Sequence, residues 1–423
     1  MQHVIDKQSL GPRAHALTQG VEACVHCGFC LPTCPTYDEL GEELNSPRGR
    51  IFLMKEVLEG TIPLDGALDA IDNCLGCDAC ITACPSGVEY DHLITAFRSK
   101  AEEERPQPLG RKLFRSLILN TLPYPNRAKW AFRAGGLARP LAGLLPKSLR
   151  PALDLLPDSL PSKVELPEVY PAQGEKRGRV ALLTGCVQQV LAPEINQATL
   201  EVLSANGIET VIPKEQGCCG ALALHTGADD HALKTARQLI RSIPQDVDAL
   251  ITNAAGCGSG INEYSILFAG ESDETAATKL AEKAKDISTY LNEIGLVTPG
   301  ALEKEMRIVY HDACHLAHAQ SETAAPRALL NAIPNLTLLE PPEWEICCGS
   351  AGIYNIEKPE VARELGDKKA ANLMSTQPDA VALGNIGCMT QIQKHLESYE
   401  SPPPVLHTVQ LLSLAYAGVM CQK

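Results

Sequence analysis

The chain has 423 residues and a formal net charge of −14, and 45% of its residues are hydrophobic whereas 4% are aromatic. This size predicts two or three domains with cores built mainly from aliphatic side chains. No apolar run reaches the roughly eighteen residues of a membrane-spanning helix, charges interrupt the N-terminal segment where a secretory signal would be apolar, and the acidic balance argues against nucleic acid as a partner. We therefore expect a cytoplasmic protein whose seventeen cysteines are free or bind metal.

The N-terminal part of the chain contains one cysteine pattern twice, with an offset of fifty residues. In each copy three cysteines are separated by two residues, a fourth follows after three more, and a proline comes directly after it. This is the spacing of a two-cluster ferredoxin, in which the fourth cysteine of each copy binds the cluster of the other copy. The expected ligands are Cys24, Cys27, Cys30 and Cys84 for one [4Fe-4S] cluster, and Cys74, Cys77, Cys80 and Cys34 for the other.

Other uses of these cysteines fit the pattern less well. A four-cysteine zinc site uses two pairs of cysteines and does not require a third cysteine at the same spacing. Disulfide frameworks belong to short secreted domains. Ser46 and Pro47 predict the start of a helix that Gly60 ends, and a second helix is expected from about Tyr90 to Glu103. Residues 1–104 are therefore expected to form an α-helical ferredoxin domain with two [4Fe-4S] clusters.

Residues 105–150 contain ten Lys or Arg and no Asp or Glu, although the whole chain is acidic. Leu, Phe and Trp side chains lie among the basic residues, which is typical of an amphipathic segment on an anionic membrane surface, here the cytoplasmic face of the inner membrane. The alternative is a linker that packs on the acidic domains of its own chain or on an acidic partner. We assign residues 105–175 to this basic amphipathic linker. The residues expected to contact membrane or partner are Arg111, Lys112, Arg115, Arg127, Lys129, Trp130 and Arg133.

The remaining chain is a tandem repeat, with modules at residues 176–300 and 301–423. Corresponding cysteines are offset by 128, 129 and 131 residues, which indicates a duplication. Short apolar runs that end in cysteine-bearing turns predict buried parallel strands, whose carboxyl ends gather at one sheet edge, where helix N-termini favour thiolates. The expected fold class is therefore α plus α/β. Each module gives one candidate metal site, the first with Cys186, Cys218, Cys219 and Cys257, the second with Cys314, Cys347, Cys348 and Cys388.

Two further features belong to these candidate sites. Gly220 and Gly349 follow the cysteine pairs and are expected to have positive φ. Histidines and an aspartate surround Cys314, and we interpret His311 and Asp312 as a cap for the following helix. The alternative is that the histidines near Cys314 deliver protons to a quinone.

The paired Cys-Cys-Gly layout behind a double ferredoxin motif resembles the iron-sulfur subunits of the heterodisulfide-reductase-like superfamily. The segments ACVHCGFCLPTCPTY and SPRGRIFLMKEVLEG are most similar to the iron-sulfur subunit of glycolate oxidase, also called glycolate dehydrogenase. This resemblance implies a subunit that takes electrons from flavin subunits oxidising glycolate to glyoxylate, or D-lactate, and passes them towards quinone. It implies no flavin on this chain and no catalysis by the isolated chain.

Three alternatives stay open. The ferredoxin motif also fits the iron-sulfur subunit of anaerobic glycerol-3-phosphate dehydrogenase or a heterodisulfide-reductase-like complex, although Gly28-Phe29 and the SPRGR segment favour the glycolate family. A redox sensor is a different class of function, but four candidate sites in one chain favour electron transfer.

The modules depart from the full motif of the heterodisulfide reductases in one respect. That motif ends in CxxC and supplies a fifth cysteine, whereas Gly260 and Gln391 stand at the corresponding positions here. Four thiolates per module remain, enough for a [4Fe-4S] cluster. The alternative is that the modules have lost their metal.

Overall fold

The computed structural model describes residues 3–106, 108–144 and 150–420. Its N-terminal domain consists of short helices around the two cysteine loops. The helices are α1 (Ala14–Ala23), α2 (Pro35–Leu40), α3 (Pro47–Leu58), α4 (Asp65–Asp72), α5 (Ala79–Thr82) and α6 (Tyr90–Glu104), with 3₁₀ turns at Lys7–Arg13 and Glu43–Asn45. Ser46 caps α3 by accepting a hydrogen bond from the Gly49 amide, and Pro47 occupies the first turn. The two predicted helices, now α3 and α6, are confirmed.

The basic segment forms two helices that lead into the modules. They are α7 (Leu109–Leu119) and α8 (Pro125–Ala138), followed by a 3₁₀ turn at Arg139–Leu144 and the short helix α9 (Arg150–Asp154). A two-residue strand, β1 (Val169–Tyr170), then pairs with the sheet of the first module. This pairing starts the first module a few residues before position 176, the boundary expected from the sequence. None of the helices in the described part of the chain combines the length and apolar character needed to cross a bilayer.

The first module is an α/β unit with a five-stranded sheet. Its strands are β1, β2 (Gly178–Leu183), β3 (Ile208–Val211), β4 (Ala249–Thr252) and β5 (Ala284–Asp286), in the order β1-β3-β2-β4-β5. Only β1 is antiparallel to its neighbour. Its helices are α10 (Gln188–Leu191), α11 (Glu194–Ala205), α12 (Ala221–Leu224), α13 (Asp229–Ser242), α14 (Ala255–Asn262), α15 (Tyr264–Leu267), α16 (Glu274–Lys283) and α17 (Ile287–Ile294).

The second module repeats this topology with four parallel strands. They are β6 (Met306–Tyr310), β7 (Leu336–Leu339), β8 (Ala380–Leu383) and β9 (Val405–His407), in the order β7-β6-β8-β9. Its helices are α18 (Cys314–Ala317), α19 (Ala324–Asn331), α20 (Tyr354–Glu357), α21 (Pro359–Met374), α22 (Ile386–Leu396) and α23 (Thr408–Met420). The order matches β3-β2-β4-β5, so the predicted duplication and the α plus α/β fold class are confirmed.

The two modules share one hydrophobic core. Leu182 and Ile251 of the first sheet belong to the same cluster of buried side chains as Val309 and Val381 of the second. Because all four side chains are completely buried, the modules pack as one body and not as two independent domains.

Candidate metal centres

Four of the expected ligands, Cys24, Cys27, Cys30 and Cys84, line a single cavity in the ferredoxin domain. Cys27 is exposed and the other three are partly buried, so this site lies at the protein surface. Burial raises the pKa of the Cys30 thiol to about 11. Four converging sulfurs are the donor set that an iron-sulfur cluster requires, so the residues fit the group.

The other four expected ligands, Cys34, Cys74, Cys77 and Cys80, line a second cavity, and three of them are buried. Cys80 also reaches the first cavity, so the two sites are neighbours. The buried guanidinium of Arg50 lies 3.7 Å from the Cys34 sulfur. Burial opposes ionisation of Cys74, but the positive charges of Arg50 and a second arginine lower the pKa of that thiol below its ordinary value. The second set is therefore a largely buried cysteine site with its own cation.

The two cysteine loops have the same backbone shape. The second and fourth residues after the first cysteine have positive φ in both copies: His26 at 53° and Gly28 at 86°, Gly76 at 63° and Asp78 at 61°. Left-handed residues turn successive backbone N–H groups towards one side, and the Gly76 amide donates to the Cys74 sulfur at 3.4 Å. Backbone donors thus face the sulfurs, an arrangement that stabilises thiolates bound to iron.

In the first module, three loops bring four cysteines together at the carboxyl edge of the sheet. Cys186 follows β2, and its sulfur lies 3.5 Å from that of Cys218. The Cys219 thiol interacts with that of Cys257, which lies in the first turn of α14. Gly220 has φ of 84°, as expected, and its amide donates to the Cys218 sulfur at 3.4 Å. The predicted set is thus assembled around one point.

The second module assembles its cysteines in the same way. Interactions between neighbouring thiols connect Cys314 to Cys347, Cys347 to Cys348 and Cys348 to Cys388. Gly349 also has φ of 84°, which confirms the second expectation of a left-handed glycine. A Cβ atom there would lie 2.6 Å from the carbonyl oxygen of Ala362, so this position also excludes a side chain.

The expected helix cap beside Cys314 is wrong. Helix α18 begins at Cys314, and its N-cap residue, Ala313, makes no side-chain capping bond. Asp312 instead binds Arg327 through two hydrogen bonds of 2.7 Å. His311 has no hydrogen-bond partner at either ring nitrogen among the described residues. Asp312 therefore binds an arginine side chain and does not cap α18.

The two later histidines of this turn attach the second module to the ferredoxin domain. His315 bonds through Nε2 to the Gly76 carbonyl at 2.8 Å and through Nδ1 to the Ser259 hydroxyl at 2.9 Å. His318 bonds to the Thr82 hydroxyl at 2.9 Å. Gly76 and Thr82 belong to the second cysteine loop and α5, so the ferredoxin site, the second module and α14 of the first module meet here.

Part of the basic segment binds acidic residues of its own chain. Arg111 forms an ion pair of 3.0 Å with Asp72, and Arg115 bridges Glu102 and Glu357 at 3.0 and 2.9 Å. Although burial opposes it, hydrogen bonds from Arg111 and a neighbouring arginine lower the pKa of Asp72 to about 2. For these two arginines the observed contacts are those of the alternative considered above, a segment packed on its own domains.

Four other basic residues of the segment, Lys112, Arg127, Lys129 and Arg133, are arranged differently. Arg127 stacks over the ring of Tyr124 at 4.3 Å, and Arg133 lies 5.6 Å from the ring of Trp130. Trp130 is 70% exposed. Within the described ranges, Lys112, Lys129 and Arg133 form no ion pair.

Comparison with known proteins agrees with the arrangement of the sites. The sequence model of the 4Fe-4S dicluster domain family matches residues 20–88, and that of the cysteine-rich domain family matches residues 180–262 and 308–393. A probable glycolate oxidase iron-sulfur subunit of Bacillus subtilis (strain 168) is 37% identical over 393 residues, which cover 88% of each chain. The chain belongs to the glycolate oxidase iron-sulfur subunit family. It therefore carries [4Fe-4S] clusters in its dicluster domain.

Two further relatives align with different shares of this chain. The glycolate oxidase iron-sulfur subunit of Escherichia coli (strain K12) is 35% identical over 377 residues, covering 88% of this chain and 89% of the relative. Lactate utilization protein A of Oceanobacillus iheyensis is 28% identical over 241 residues, covering 57% of this chain and 98% of the relative.

Three residues of the candidate sites escaped the sequence interpretation. Arg50 donates to the carbonyl of Ala70 at 2.7 Å as well as facing Cys34. Lys369 is 1% exposed and faces Cys347 and Cys348. Asn385 donates to the Cys388 sulfur at 3.2 Å. The first two had a recognisable signal, because each is a cation at helical spacing within an apolar stripe, with Met54 after Arg50 and Leu365 before Lys369.

Proposed function

We propose that the chain is the electron-transfer subunit of a flavin-dependent glycolate oxidase complex and passes electrons from the flavin subunit towards quinone. D-lactate is a second substrate candidate, since a lactate utilization protein is among the relatives. The observation that carries the proposal is the contiguity of the candidate metal centres. Cys77 of the second ferredoxin site packs in one cluster of side chains with Cys314 and Cys347 of the second module.

The contiguity extends to the first module. Asn385 donates to the Cys388 sulfur through Nδ2, and its Oδ1 atom accepts a hydrogen bond of 3.4 Å from the amide of Gly256, the residue before Cys257. One side chain thus joins the ligand loops of both modules. Four centres in contact through single residues form a continuous route for electrons, whereas a sensor needs only one labile cluster.

We assign the entrance of the route to the first ferredoxin site. Its ligand Cys27 is exposed, and Val25 and Phe29 in the same loop are 69% and 66% exposed. Apolar side chains around an exposed redox centre suit a partner that buries them on docking. The flavin subunit is the partner that must approach this centre.

We assign the exit to a cleft of about 860 Å³ that reaches Cys218. Tyr124, which caps α8, Arg127 of α8 and Val190 are among the residues that line it. A mixed apolar and cationic lining of this size suits an amphipathic ring such as a quinone. Because residues of α8 line the cleft and other side chains of α8 are exposed, we place the cleft beside the surface proposed below to contact lipid.

We propose that α7 and α8 contact an anionic membrane surface. Leu109, Leu113 and Leu117 follow one another at intervals of four residues on one face of α7 and are 78%, 70% and 62% exposed. Trp130 and Leu137 continue the exposed apolar surface on α8, and unpaired basic side chains adjoin it. Arg111 and Arg115 are not part of this proposed membrane surface, because their charges are bound internally.

The proposed route is tested in the complex purified anaerobically with its flavin subunits. Glycolate, D-lactate and glycerol 3-phosphate are supplied in turn, and both dye reduction by the flavin subunit and quinone reduction are measured. We expect glycolate to be the best substrate. Cys348→Ser and Cys219→Ser should each lower the iron content by about four atoms per chain and abolish quinone reduction while dye reduction continues. Unchanged iron and unchanged quinone reduction in both variants would show that the modules play no part in the route.

The membrane surface is tested by reversing the charges of Lys112, Lys129 and Arg133 to Glu. Because each basic residue near an anionic surface contributes about 1 kcal/mol, the triple variant should leave phosphatidylserine-containing vesicles while the complex stays assembled. The measurement is cosedimentation with these vesicles and with phosphatidylcholine vesicles. A matched control reverses the exposed residues Lys234, Arg241 and Lys279, which gives the same change in net charge. Equal vesicle binding by both triple variants would refute the membrane surface.

A further inference from the structure

His311 is a buried histidine whose ring nitrogens are unpaired among the residues that the structure describes. It follows directly after β6 and is 1% exposed. Neither Nδ1 nor Nε2 has a hydrogen-bond partner within the described part of the chain. Buried polar side chains are nearly always paired, since an unpaired buried group costs about 1–3 kcal/mol. The ring therefore requires a partner of another kind.

The cysteines of the second module lie next to this ring. A ring nitrogen of His311 and the sulfurs of Cys348 and Cys388 all lie within 4.8 Å of one another. Bonds from a metal to nitrogen and sulfur are about 2.0–2.3 Å long, so one metal ion can reach all three atoms with small side-chain adjustments.

The first module offers no such donor. The residue three positions before Cys186 is Leu183, a fully buried apolar side chain, whereas the residue three positions before Cys314 is His311. Both modules also lack the fifth cysteine of the full motif, and Gln391 at that position in the second module accepts a hydrogen bond from Asn355 at 3.0 Å. The second module thus has a fifth donor of a different kind, and the first has none.

We propose that His311 is a nitrogen ligand of an iron atom that the second module holds with Cys348 and Cys388. The inference rests on the proposed function in one respect, the presence of a cluster in this module. Imidazole in place of thiolate removes negative charge from a cluster and raises its reduction potential, as in Rieske centres. The second module would then differ from the first in potential although the two share one fold.

The direct test is pulsed electron paramagnetic resonance on the full chain, purified anaerobically with ¹⁵N only in its histidines. We expect a coupling between a reduced cluster and a histidine nitrogen that disappears in His311→Leu, the residue of the first module. A matched control is His407→Gln, since His407 is equally buried but is bonded to the Asn253 carbonyl and the Val409 amide. The control should keep the coupling.

A second measurement uses His311→Cys, which supplies a thiolate at the same place. This variant should retain the iron of the parent and shift the potential of one cluster to more negative values, whereas His311→Leu should lose iron from the second module. Iron above about eight atoms per chain without a histidine coupling in the parent would overturn the ligand inference alone. Iron of about eight atoms, all in the ferredoxin domain, would overturn both this inference and the cluster proposed for the module.

Discussion

Replacing Cys34 by Ser is expected to remove the cluster of Cys74, Cys77 and Cys80 and to leave the other ferredoxin cluster in place. The reason is that the Cys34 sulfur lines the cavity of those three cysteines, although its nearest cysteine in sequence is Cys30. Iron content should fall by about four atoms per chain. Mössbauer and electron paramagnetic resonance spectra of the purified chain measure which cluster is lost.

The matched variant is Cys84→Ser, which should remove the cluster of Cys24, Cys27 and Cys30 instead. The two losses should differ in their effect on stability, because Cys34 is buried among protein groups whereas Cys84 is half-buried near the surface. If Cys34→Ser damaged only the cluster of Cys24, Cys27 and Cys30, the crossed ligand set would be wrong.

Arg50→Leu is expected to be nearly as damaging although no metal ligand changes. The guanidinium is 1% exposed, bonds to Ala70 and Thr36, and faces the sulfurs of Cys34 and Cys74. Removing one partner of a buried charge interaction typically costs about 3–5 kcal/mol, so the second cluster should be lost or strongly destabilised. Iron content and the midpoint of urea unfolding measure the two effects.

The neighbouring Arg48 provides a control for this prediction. It lies in the same helix, and its guanidinium pairs with Glu43 at 2.6 Å on a partly exposed surface. Such an ion pair contributes about 0–1 kcal/mol, so Arg48→Leu should keep the second cluster. Arg50→Lys keeps the charge but offers fewer donors in a fixed geometry, and an intermediate loss of iron is expected. Equal iron in all three variants and the parent would show that Arg50 has no role at the cluster.

The features predicted from the sequence were those that depend on local spacing. The Ser46 cap and the left-handed glycines after the cysteine pairs follow from residues close together in the chain, and they were found where expected. The module duplication follows from a cysteine spacing that recurs along the chain, and the matching strand orders confirm it. Cysteine loops at the carboxyl edge of a parallel sheet belong to the same class, because sheet topology brings strand ends together without knowledge of side-chain packing.

The features that were missed depend on which charges meet in three dimensions. The basic segment has uniform composition, yet Arg115 binds Glu357 across 242 positions while Lys112 stays exposed. His311 and Asp312 were interpreted as a pair that caps the next helix. In the structure Asp312 binds Arg327 from α19, and His311 lies beside Cys348 and Cys388. Local patterns do not contain these partners.

The common core of the two modules has an evolutionary consequence. The buried cluster that both modules share contains Leu182, Ile251, Val309 and Val381. A single module cut out of the chain would therefore expose an apolar face that the other module now covers. The smallest heritable unit is then the pair.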